Sequence, residues 1–85
     1  MPRIPLRIPP EDWPAAPIQL ELWLVEAGDV VDAGDVVAEL SIPGLVGSLV
    51  APAAGRVVDL QAPSERRWQA GDIIGWIETA EDESS

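Results

Sequence analysis

The chain has 85 residues and a formal net charge of -10, and it contains no cysteine and no histidine. Those absences exclude disulfides, thiolate metal sites, Cys or His nucleophiles and imidazole acid–base catalysis. All five basic residues are arginine, so a Schiff base, or a cofactor carried on a side-chain amine, is excluded as well. The acidic excess repels phosphate backbones and anionic lipid surfaces, which removes nucleic acid and membranes from the expected partners; its ordinary role is a solubilising surface.

The first ten residues hold Pro2, Pro5, Pro9 and Pro10 with two arginines, and nowhere do about 18 apolar residues run together. A soluble, cytoplasmic protein is therefore expected. Ile4, Leu6 and Ile8 alternate with Pro5, Arg7 and Pro9 at the strand period of two, and proline confines such a strand to a sheet edge. A loop follows from Glu11 to Pro17. Within it Trp13 is either packing material or a partner contact.

Ile18 to Val25 alternates for most of its length, with Ile18, Leu20 and Leu22 on one face and Gln19 and Glu21 on the other, before Trp23-Leu24-Val25 turns wholly apolar. Ala27-Gly28-Asp29 ends that strand, Val30-Val31 makes a short one, Ala33-Gly34-Asp35 turns again, and Val36 to Ile42 forms the next. Ile42-Pro43-Gly44-Leu45 then spells a tight turn. Proline pre-sets the backbone for the second position of a type II turn, and glycine accepts the positive φ required at the third. Leu45-Val46 and Leu49-Val50 return as a strand that Gly47-Ser48 interrupts. Arg56 to Leu60 and Ile73 to Ile77 are the remaining strands, separated by a polar loop from Gln61 to Arg67. Trp23 and Trp76 lie on strands and are expected in the core, while Arg66-Arg67 with Trp68 are either an anion or acidic-partner contact or solvated stems covering that ring. Residues 1–80 form one domain, and the acidic end from Glu78 is expected to fray, leaving 81–85 as a disordered tail. No window keeps helical apolar spacing without a Gly or Pro inside it, so the chain reads as all-β.

Ala33-Gly34-Asp35-Val36-Val37-Ala38-Glu39-Leu40 matches Ala70-Gly71-Asp72-Ile73-Ile74-Gly75-Trp76-Ile77, and the same offset lays the strand from Ile18 on the one from Gly55. Two copies are too few for a solenoid. They predict two small antiparallel sheets related by a pseudo-twofold axis, with the Pro43-Gly44 hairpin at one extremity.

The run from Glu21 to Leu40, with its Trp23-Leu24-Val25, Gly28-Asp29 and Gly34-Asp35, resembles the first half of a biotinyl/lipoyl carrier domain. Val50-Ala51-Pro52-Ala53-Ala54-Gly55-Arg56-Val57 is similar to that family's Ala-Pro-x-x-Gly-x-Val start of the second half. The resemblance covers nearly the whole chain and implies the barrel-sandwich hybrid fold. It also implies a lysine at the hairpin apex bearing the cofactor, usually within Asp-Lys-Ala or Met-Lys-Met. Here Pro43-Gly44-Leu45 stands in that place, and Gly44 occupies the position of the modified lysine. No cofactor is expected, since a biotin or lipoyl amide needs an ε-amine. The loop Ala62 to Arg67 also replaces the family's second Gly-Asp turn.

The resemblance therefore implies a degenerate carrier domain acting as a protein-interaction or accessory module of a lipoyl- or biotin-dependent system. Its partner would be a component of a 2-oxoacid dehydrogenase or a biotin-dependent carboxylase. The alternatives are a purely structural subunit of a complex and a non-covalent small-molecule binder. Enzymatic activity is not expected: Asp29, Asp35 and Asp72 are the acid–base candidates, and Asp in a Gly-Asp turn bonds its own backbone. The tip is either a stable turn and nothing else or a binding loop with Leu45 and Val46 exposed to a partner; on the second reading the partner contact comprises Pro43, Gly44, Leu45, Val46 and Trp13.

Overall fold

The computed structural model describes residues 2–63 and 66–79. Eight strands are present among them: β1 (Arg3–Arg7), β2 (Ile18–Trp23), β3 (Val30–Val31), β4 (Val36–Ile42), β5 (Leu45–Val50), β6 (Gly55–Val58), β7 (Arg67–Trp68) and β8 (Ile73–Glu78). They form two four-stranded antiparallel sheets, ordered β1-β8-β6-β3 and β5-β4-β2-β7. The barrel-sandwich architecture expected from the sequence is thus observed. β1 lies at a sheet edge and holds Pro5, as its prolines demanded.

The internal repeat is the geometry of the fold. The offset that carries residue 33 to 70 also carries the first residues of β2, β3 and β4 onto those of β6, β7 and β8. β1 and β5 are the remaining pair, so the two sheet orders correspond strand for strand. Equivalent positions bury equivalent side chains: Val37 with Ile74, Leu40 with Ile77, Leu20 with Val57, and Leu6 with Leu49. A chain this short reaches a closed core because each half supplies half of it.

Three chemically identical turns lock the halves together. In each, an Ala-Gly-Asp triplet places glycine at positive φ (Gly28 100°, Gly34 93°, Gly71 94°), the conformation type II turns require at that position. The Asp Oδ2 accepts the backbone N–H three residues earlier, at 2.8 Å for Asp29 and 2.9 Å for Asp35 and Asp72. Each turn then grips a distant residue by a reciprocal pair of backbone bonds. Gly34 N–H donates to Ala51 O and Ala51 N–H to Asp35 O, both at 2.8 Å. Gly71 and Asp72 hold Ile8 in the same way, and Gly28 and Asp29 hold Val57.

Four expectations are corrected. The register of β2 on β4 shifts between Leu20 and Leu22, so Leu22 leaves the core face and is exposed, while Trp23 turns to pack against the core. Gly47-Ser48 does not interrupt β5, which pairs with β4 without a break from Leu45 to Leu49. The deeply buried tryptophans are Trp13 and Trp68, whereas Trp23 and Trp76 are half-buried. Glu78 belongs to β8, where its carboxylate accepts from Arg3, and Thr79 N–H donates to Pro2 O. The proposed tail, 81–85, lies outside the described residues.

Arg3 also donates to Asp59 at 2.7 Å, which ties β1 to the residue that follows β6. Hydrogen bonding to Asp59 raises the Arg3 guanidinium above its ordinary pKa. The Arg66 guanidinium carbon lies over the Trp68 ring, 3.9 Å from its centroid, a cation–π contact. Among the described residues, no helix is long and apolar enough to cross a membrane.

Candidate functional site

The β4–β5 hairpin closes where its sequence says it should: Ile42 faces Leu45, and Pro43-Gly44 are the two residues of the turn. Gly44 has φ 84°, as a type II turn demands of its third residue. A Cβ built at Gly44 meets no atom within 4 Å, so the apex stands clear of the body of the domain. Behind it, Leu45 is 49% and Val46 68% exposed. An apolar pair at the end of a strongly acidic domain is what a docking contact would present.

Of the five residues assigned to a partner contact, four are brought together here and one is not. Pro43, Gly44, Leu45 and Val46 are consecutive and exposed. Trp13 is only 7% exposed and belongs to the core cluster. Its ring lies against Gly47, where an added Cβ would sit 2.8 Å from Trp13 Cζ2 and 3.0 Å from Cη2. Packing, the other role weighed for Trp13, is what the structure gives it. Sequence reasoning treated Gly47 as an interruption and missed its purpose. A glycine inside a strand is itself the signal of a close approach.

Beside the apex lies an open depression of about 210 Å³ lined by Pro17, Gln19, Ser41, Ile42, Pro43 and Arg67. The Ser41 hydroxyl donates to the Glu21 carboxylate across β2 and β4. Each of the three turn aspartates has an oxygen committed to a backbone N–H of its own turn, so they act as structural groups. The residues at the apex therefore supply an exposed turn and apolar contact area, with no side-chain amine at Gly44.

No curated protein matches the chain. A family model described as "Biotin-requiring enzyme" matches residues 15–77. The match spans both copies of the repeat and the apex between them; β1 and Trp13 lie outside it. Domains of this family are carriers rather than catalysts, and they work within biotin- or lipoate-dependent multienzyme systems, where they meet enzyme partners. With most of its length matched and two pseudo-symmetric sheets joined by an exposed hairpin, the chain belongs to the biotin/lipoyl domain family.

Proposed function

We propose that this domain is a non-modified member of its family, acting as a protein-interaction or accessory module of a lipoyl- or biotin-dependent multienzyme system in the cytoplasm. The observation that carries this reading is the apex. Amide linkage of biotin or lipoate needs a primary amine there, and Gly44 has no side chain in a sequence without a single lysine. The residues present do not fit the group. The domain is not itself an enzyme. What the hairpin presents is its projecting turn and the exposed apolar pair Leu45 and Val46, a surface suited to contact with an enzyme partner.

Docking on a component of a 2-oxoacid dehydrogenase or a biotin-dependent carboxylase follows from that reading. The partner contact is assigned to Pro43, Gly44, Leu45 and Val46. Co-purification followed by identification of the bound protein is the test. A component of one of these systems should be recovered with the wild type. It should be lost with Leu45→Asp, which places a charge on the exposed apolar pair without touching the core. Recovery unchanged by Leu45→Asp would remove the tip as the contact, and recovery of no such component would remove the docking reading.

A further inference from the structure

Four strands lie at sheet edges among the described residues: β1 and β3 in one sheet, β5 and β7 in the other. An edge strand presents unpaired N–H and C=O groups, and proteins normally blunt it by shortness, charge or proline. β3 and β7 are two residues long. β1 carries Pro5 and is flanked by Arg3 and Arg7. β5, its pseudo-twofold counterpart, has the sequence Leu-Val-Gly-Ser-Leu-Val, with neither proline nor charge, over six residues. One edge of the four is left fit to pair.

Register fixes which of its groups are available. Leu45 faces Ile42 across the two-residue turn and closes the first hydrogen-bonded pair, so alternation makes Gly47 and Leu49 the next residues to bond β4. The N–H and C=O groups of Val46 and Ser48 point outward. The exposed side chains of Val46, 68%, and Val50, 47%, add apolar area beside them. An open groove of about 440 Å³ is lined from both β1 and β5, with Pro5, Pro9, Pro10, Leu49, Val50 and Pro52 among its lining residues. Its charged lining is Arg7, Glu11 and Asp12.

We infer that β5 is a strand-addition site: an extended partner segment with alternating basic and apolar residues pairs with the free edge and seats its apolar side chains in the groove. Main-chain bonds to Val46 and Ser48 hold such a segment, and alternate side chains reach the groove. Charge decides the occupant. A second copy of this chain brings another net charge of -10 to the contact, whereas a basic segment meets a complementary field and the acidic pair Glu11 and Asp12. This inference rests on the docking reading and gives that docking a backbone-mediated mode and a basic partner.

The probe is a synthetic, end-capped octapeptide of alternating Lys and Val, with its Glu–Val counterpart as the control. Amide hydrogen exchange followed by NMR should show the Val46 and Ser48 amides slowed at least tenfold by the Lys–Val peptide and unaffected by the Glu–Val peptide. Ser48→Pro, which removes an outward N–H that β4 does not use, should weaken binding at least tenfold. The same loss should follow from N-methylating one alternate set of peptide residues, the lysines or the valines, whichever turns its N–H groups toward β5, a change that leaves the protein untouched. Equal binding of both peptides would overturn the inference, as would indifference to N-methylation. Protection that rises with protein concentration alone would overturn it in favour of a second copy. If Leu45→Asp still abolishes partner docking while the Lys–Val peptide protects nothing, docking stands and strand addition falls.

Discussion

Restoring the missing amine tests how far the apex has departed from a carrier's. In Gly44→Lys the new Cβ meets no clash, because nothing lies within 4 Å of it. The cost is conformational: φ at this position is 84°, a region that L-residues enter with a penalty of about 1 kcal/mol or more. For a domain of this size about 1 kcal/mol lowers Tm by roughly 4–8 °C. The same strain aims the lysine away from the direction a relaxed turn would give it. Replacing Pro43-Gly44-Leu45 together by Asp-Lys-Ala removes the conflict. Without proline the first turn position is no longer held at a φ of about −65°, so the hairpin can leave the type II geometry that demands a positive φ at residue 44. Each protein is co-expressed with a lipoyl or a biotin ligase, weighed intact and melted. We expect no added mass on the wild type, a folded but destabilised and poorly modified Gly44→Lys, and partial modification of the triple replacement. Cofactor on the wild type would refute the central reading. A Gly44→Lys domain as stable and as fully modified as the triple replacement would refute the strain argument. An intact but unmodified triple replacement would show that ligase recognition has been lost at more positions than the tip.

Gly47→Ala forces a methyl into the Trp13 ring and should cost about 1–3 kcal/mol in urea unfolding; a cost near zero would show that the ring is free to move. Combined with Trp13→Ala its penalty should largely vanish, a coupling that a double-mutant cycle reads directly. Asp35→Ala removes the acceptor for Asp32 N–H and should cost about 1 kcal/mol, while Asp35→Asn, which keeps a side-chain oxygen, should cost clearly less. Equal losses for the two would mean that the turn does not depend on that hydrogen bond.

The fold was largely legible because its instructions are local and given twice. The Ala-Gly-Asp triplets announce their turns through residues whose preferences need no distant partner: glycine for positive φ, and an aspartate short enough to bond the backbone three residues back. Proline and glycine wrote the hairpin tip in the same way, and the spacing between the copies announced two sheets before any pairing was known. The absence of lysine at the apex is a fact of sequence alone, and it bears on function without any coordinates.

Tertiary structure decided what depends on partners far along the chain. The irregularity between Leu20 and Leu22 depends on how β2 registers against β4, and it exchanged Leu22 for Trp23 on the core face. Period-two alternation cannot register such a shift, since one added residue reverses every face beyond it. Trp13 became core, and Gly47 necessary, only because the loop before β2 folds onto β5. β1 and β5 share no sequence similarity, so their equivalence is visible only in the pairing, as is the contrast between one guarded edge and one open edge. Local chemistry therefore set where the chain turns. Which side chains those turns bury, and which edge they leave open, was fixed by contacts between residues that sequence order keeps apart.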